Sequence, residues 1–83
     1  MRQYLQDFME SYAYPEEAIS TLLAAYDVLK ENADFTMLLE TYEKDRFCDY
    51  AAMLAQCKEI AAVTGVHTYT VEFLMFMCFS RKL

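Results

Sequence analysis

The chain has 83 residues, of which 57% are hydrophobic and 16% aromatic, and its formal net charge is −6. This length fits one domain, and so high an apolar content excludes a disordered chain. The sequence holds one Gly and one Pro, and this scarcity of turn residues disfavours a β-rich fold. An acidic surface repels phosphate groups, so the charge disfavours nucleic-acid binding. We therefore expect a small, acidic, all-α domain.

The cysteines and the apolar runs indicate a compartment. The three Cys occur at positions 48, 57 and 78, an odd number without a C-x-x-C spacing, which is typical of reduced, buried thiols. The longest apolar run covers residues 73–79, whereas a membrane-spanning helix needs about 20 apolar residues. We expect a cytoplasmic protein without a membrane segment.

Apolar residues recur at helical spacing from the start of the chain. The first helix has one apolar face, made of Leu5, Phe8, Met9 and Tyr12. Pro15 suits the first position of a second helix, because its missing N–H group needs no partner there. The inward face of the second helix consists of Ile19, Leu22, Leu23, Tyr26 and Leu29.

A second break in the pattern separates two further helices. Asp34 is expected as the N-cap of a third helix, although a single long helix running through to Lys44 is the alternative. The apolar face of the third helix consists of Phe35, Leu38, Leu39 and Tyr42. Asp49 is a suitable N-cap for a fourth helix, and Gly65 suits its left-handed C-terminal residue. The fourth helix carries the clearest apolar stripe, which consists of Tyr50, Met53, Leu54, Cys57, Ile60 and Ala61.

The fifth helix, expected over residues 68–82, is apolar all round, which is typical of a helix buried on every side. Four short helices cover a fifth only in part, so two interpretations remain open: a central core helix, or a helix with one side left for a partner. The candidate interface consists of Phe73, Met75, Phe76, Met77 and Phe79. The chain stops directly after this run, so we expect residues 1–83 to be a single helical domain and the N-terminal part of a longer protein. The predicted architecture is an antiparallel bundle of four to five short helices.

Candidate chemistry is sparse. The corner formed by Ala61, Gly65 and Val71 has the spacing of a helix-turn-helix, but its second helix lacks the Arg, Lys, Asn or Gln side chains that read bases. His67, the only His, is expected to be a corner or capping residue. Cys48, near Lys44, is the least improbable reactive thiol. We assign no catalytic, cofactor-binding or metal-binding residue.

Three segments resemble a known family. They are YPEEAI at residues 14–19, DYAAML at 49–54 and TGVHTYTVEFL at 64–74. Together they are similar to the N-acyltransferase N-terminal domain, a helical domain that precedes a GNAT-like domain in bacterial proteins. The Gly65-Val66-His67 corner with Tyr69 and Thr70 is the most specific part. Thr68 departs from the Pro found there in many members, a mild change at a first helical turn.

The resemblance implies a function for the whole protein rather than for these residues. It implies an acyltransferase that takes its acyl group from acyl-CoA, bound by a GNAT-like domain downstream of this chain. No catalytic residue is carried over to any position here. The expected role is non-catalytic: packing against or shaping the catalytic domain. The alternative is a free-standing acidic module that binds a protein partner or forms a homodimer through its last helix.

Overall fold

Five α-helices, joined by short connections, make up the described part of the chain in a computed structural model: α1 (Arg2–Ser11), α2 (Glu16–Leu29), α3 (Ala33–Lys44), α4 (Tyr50–Thr64) and α5 (Thr68–Arg81). The structure describes the backbone of residues 1–44 and 49–81, and the side chains of residues 1–41 and 49–78. The all-α prediction is confirmed. Four predictions lie outside the described residues: the faces of Tyr42 and Phe79, the Cys48 thiol, and Lys82 as the last helical residue.

The core is centred on α5, which packs against α2, α3 and α4, while α1 packs against α2. Val71, Leu74, Met75 and Cys78 follow helical spacing along α5 and are at most 2% exposed. From the other helices, the fully buried large side chains are Leu5, Met9, Leu29, Phe35 and Met53. Burial of apolar surface is the main favourable term in folding, so α5 supplies the centre of that stabilisation.

The predicted apolar faces are confirmed for the residues that point to the centre of the bundle, whereas residues predicted at the edges of these faces are exposed. Leu23 and Leu29 of α2 and Met53, Cys57 and Ile60 of α4 are buried. The outermost predicted members, Tyr12 and Tyr50, are 68% and 52% exposed. Tyrosine tolerates such positions because its ring is apolar and its hydroxyl is polar.

The boundary between α2 and α3 corrects one prediction. The single long helix is wrong, because the backbone turns after Leu29 and α3 begins at Ala33. The N-cap of α3 is Asn32 rather than Asp34: the Asn32 Oδ1 accepts a hydrogen bond of 2.9 Å from the Phe35 backbone N–H. Asp34 lies in the first turn instead, where the helix dipole favours its negative charge.

Pro15 occupies the N-cap position of α2, one position before the first helical position that the sequence predicts for it. It is the residue before α2, with an extended backbone (φ −58°, ψ 145°), and Glu16 is the first helical residue. Glu16 and Glu17 occupy the first turn, as expected from the dipole. Both caps of α4 are confirmed, because the Asp49 side chain accepts from the Ala51 N–H and Gly65 is left-handed with φ 77°.

The end of α1 holds a motif that the sequence did not reveal. The Tyr14 N–H donates to the Met9 carbonyl and the Ala13 N–H to the Glu10 carbonyl, which is the Schellman pattern of a helix C-terminus. Ala13 takes the left-handed position with φ 58°. Glycine is the usual residue there, so an alanine carries backbone strain.

Outside the core, a small ionic cluster joins α1 to α2. Arg2 contacts Asp27 at 3.2 Å and Lys30 contacts the same carboxylate at 3.4 Å. Desolvation raises the pKa of Asp27, but the hydrogen bonds and the positive charges of Arg2 and Lys30 outweigh it and hold this pKa below its ordinary value. All three side chains are substantially exposed, so the contribution to stability is small.

We predict that Gly65→Val destabilises the chain by about 1–2 kcal/mol, because a β-branched residue is strained at positive φ. A Cβ at this position meets no atom within 4 Å, so the cost comes from the backbone and not from a clash. Gly65→Asn, a residue that tolerates this conformation, is the control and should cost less. Thermal unfolding measures both, and equal melting of Gly65→Val and wild type would contradict the left-handed cap.

The strained Ala13 leads to a prediction of opposite sign. Ala13→Gly should stabilise the chain by about 0.5–1 kcal/mol, because relief of left-handed strain exceeds the entropy that glycine adds to the unfolded state. The control is Ala24→Gly in the middle of α2, an exposed helical position, where glycine should destabilise by about 0.5–1 kcal/mol. Denaturant unfolding compares the two, and the same sign for both variants would refute the assignment.

Candidate functional site

The candidate site is a groove between α4 and α5, at the corner where these helices meet. It encloses about 740 Å³. We call it the aromatic groove, and it is lined by Tyr50, Leu54, Lys58, His67, Thr68, Tyr69, Glu72, Phe73 and Phe76. A smaller depression shares Tyr69 and Phe73 with it and reaches Tyr14 and Leu22 of the α1–α2 region. Aromatic side chains therefore extend over one face of the bundle.

The corner that positions this groove is built by the caps of two helices. The Gly65 N–H donates to the Ala61 carbonyl and closes α4. Two residues later, the His67 Nδ1 accepts a hydrogen bond of 3.1 Å from the Tyr69 backbone N–H, and so caps α5. The prediction of His67 as a corner or capping residue is confirmed. The two helices form a pair bent by 116°.

The rings of this corner are stacked. The His67 and Tyr69 rings have centroids 5.2 Å apart and an interplanar angle of 24°. Tyr69 is 76% exposed, whereas Phe73 and Phe76, farther along α5, are half-buried. The groove thus has an exposed tyrosine at its edge and half-buried phenylalanines deeper inside.

Charged groups lie among the aromatic rings. The Tyr50 hydroxyl donates a short hydrogen bond of 2.6 Å to the Glu72 carboxylate, which ties α4 to α5 across the groove. Lys58 lines the same groove from α4. Arg2 and Lys30 both pair with Asp27, so Lys58 is the remaining Lys or Arg side chain among residues 1–41 and 49–78.

The structure divides the five predicted interface residues into separate groups. Phe73 and Phe76 line the aromatic groove, but Met75 is 0% and Met77 9% exposed, so both belong to the core. Successive helical residues point about 100° apart, and α5 has neighbours on several sides, so an apolar run along it cannot face one way. Phe79 lies outside the described residues.

Several groove residues were missed as site candidates. Sequence reasoning places Tyr50 on the apolar stripe of α4 and assigns no site role to Tyr69 or Glu72. Tyr69 and Glu72 lie in the first turns of α5, directly after the Gly65 corner, whereas Tyr50 is the first residue of α4, at the end far from that corner. The bend of the corner determines which of them share a surface, and the bend is not a local property of the sequence.

The buried thiols do not suit nucleophilic chemistry. Burial, followed by the charge of Glu72, raises the pKa of Cys57 to about 11. A thiol with this pKa stays protonated near neutral pH and is a poor nucleophile. Cys78 is buried as well. Among the described residues, no group of His, Cys, Asp and Glu side chains could hold a metal ion.

Within the described ranges, no single helix has the length and apolar composition needed to cross a membrane; α4 and α5 pass that test only together, as the bent pair. Comparison with known proteins gives no further guidance: no protein family, no characterised protein and no solved structure matches this chain. The class that the fold defines is a small all-α bundle with an aromatic groove.

The hydrogen bond across the groove can be tested directly. Tyr50→Phe should destabilise the chain by about 0.5–1 kcal/mol, because it removes the bond to Glu72 while keeping the ring, and because the site is partly exposed. Tyr12→Phe is the matched control: Tyr12 is also exposed, and its ring contact with Phe8 at 4.7 Å is kept. Thermal unfolding that ranks the two variants equally would contradict a role for the bond.

Proposed function

We propose that this chain is a non-catalytic helical domain that packs, through the aromatic groove, against the acyl-CoA-binding domain of a GNAT-like acyltransferase. The observation that carries the proposal is the set of aromatic side chains that line the groove between α4 and α5, which starts at the Gly65 corner. This corner is also where the resemblance to the N-acyltransferase N-terminal domain is most specific. The chemistry of acyl transfer belongs to the partner domain, which supplies the acyl-CoA site.

The composition of the groove supports a packing role rather than catalysis. Tyrosine and phenylalanine provide large contact areas and dominate binding energy at protein interfaces. Two ionisable groups of the groove are engaged in structural hydrogen bonds. Glu72 accepts from the Tyr50 hydroxyl, and His67 Nδ1 accepts from the Tyr69 backbone N–H. Cys57, which is buried in the core beside the groove and does not line it, stays protonated near neutral pH because burial raises its pKa to about 11.

Charge favours a different partner over a second copy. Two chains with a net charge of −6 each repel one another, whereas a partner face with basic residues around an apolar centre would be attracted. We therefore place the homodimer second, as the alternative function. Light scattering of the 83-residue chain distinguishes them, since a stable dimer would support the alternative and contradict the first proposal.

The decisive experiment uses the residues encoded after Leu83. The proposal requires that the reading frame continues into a domain that binds acyl-CoA, measured by calorimetry with acetyl-CoA on that domain. It also requires that the separate domain binds the 83-residue chain. A reading frame that ends at Leu83, or a continuation without affinity for acetyl-CoA, would overturn the proposal.

The surface itself is tested by a matched pair of variants. Tyr69→Glu should weaken binding of the downstream domain about 30-fold, because an exposed aromatic anchor of an interface contributes about 2 kcal/mol. Val63→Glu is the control: Val63 is 75% exposed, like Tyr69 at 76%, but does not line the groove. We expect less than about a twofold change for it. Equal effects of both variants would move the interface elsewhere.

A further inference from the structure

The start of α5 is capped by an imidazole rather than by a usual capping side chain. The His67 Nδ1 accepts a hydrogen bond from the Tyr69 N–H at 3.1 Å, and the His67 carbonyl accepts from the N–H groups of Thr70 and Val71 at 2.9 and 3.0 Å. His67 therefore has the position and the bonds of an N-cap residue. Its ring is exposed to solvent.

An imidazole cap differs from Ser, Thr, Asp or Asn caps in one respect: a proton destroys it. A nitrogen that accepts a hydrogen bond carries no proton, so the cap requires the neutral ring with its hydrogen on Nε2. Protonation places two N–H groups, those of Nδ1 and of the Tyr69 backbone, against each other. It also places a positive charge at the N-terminus of a helix, where the dipole is unfavourable to cations.

We infer that protonation of His67 breaks the side-chain cap of α5 and thereby loosens the first turn of this helix, which carries Tyr69 at the edge of the aromatic groove. Tyr69 is held in two ways, by its backbone N–H on Nδ1 and by its ring stacked on the imidazole. Loss of the cap releases the first of these directly. The tests therefore compare the chain at two pH values within the range in which histidine side chains in general change charge.

The charged neighbours of His67 come from both helices that form the groove. Lys58 and Tyr50 face the groove from α4, and Glu72 and Tyr69 from α5. Lys58 opposes a second positive charge, whereas Glu72 favours one and is at the same time bonded by the Tyr50 hydroxyl.

The first test compares the wild-type chain with His67→Asn at pH 7.5 and pH 5.5. Asparagine caps a helix at both pH values, whereas the imidazole caps only when neutral. The melting temperature of the wild type should fall by about 4–8 °C more than that of the variant, the shift that loss of one cap produces in a domain of this size. Other groups titrate equally in both proteins, so equal falls would overturn the inference.

The second test observes the ring and the turn by NMR of the ¹⁵N-labelled chain. At pH 7.5 the Nδ1 resonance should be that of an unprotonated nitrogen, and the Tyr69 amide should shift with the titration of His67. A control amide, that of Thr21 in α2, should not follow it. A hydrogen on Nδ1 at pH 7.5, or a Tyr69 amide that is unmoved by the titration, would overturn the inference.

The consequence for binding rests on the proposed function, whereas the proton-sensitive turn does not. Both tests use the 83-residue chain alone and need no partner domain. The turn can therefore be confirmed although the downstream domain fails to bind, and the downstream domain can bind although the turn proves insensitive to protons. The two proposals fail separately.

Discussion

The packing of α5 against three other helices is the constraint on which the rest of the structure depends. Its residues Val71, Leu74, Met75 and Cys78 are almost completely buried, and the helices α2, α3 and α4 find their positions by covering them. A chain of this size has a large surface relative to its volume, and a single central helix lets the other helices bury their apolar faces against one element. The first helix reaches this core through α2.

A central helix has to begin and end sharply, and the helix ends in this chain are fixed by local hydrogen bonds. Asn32 and Asp49 accept from backbone N–H groups at the starts of α3 and α4, and Gly65 and Ala13 adopt left-handed conformations after α4 and α1. These caps satisfy backbone groups that the helices cannot satisfy themselves. They also set the corners, and the corner at Gly65 creates the groove.

Local signals explain which parts of the fold the sequence predicts. Asp49 and Gly65 were predicted correctly because each is the preferred residue type for its position. Asn32 was passed over for Asp34, since both are suitable caps and only the path of the chain after Leu29 decides between them. Ala13 was missed because nothing in its chemistry favours positive φ; the Schellman bonds impose that conformation.

The groove shows why an apolar run does not by itself identify an interface. Phe73 and Phe76 line the groove while Leu74 and Met75 between them are buried, because each residue turns the side chain about 100° around the helix. The same helix thus supplies the core and the groove, and a rotation of α5 by about 100° would exchange their residues. The Tyr50–Glu72 hydrogen bond joins α4 to α5 and opposes such a rotation. The residues that fix the orientation of α5 are therefore those at the edges of the groove, so the shape of this surface and the packing of the core are determined together.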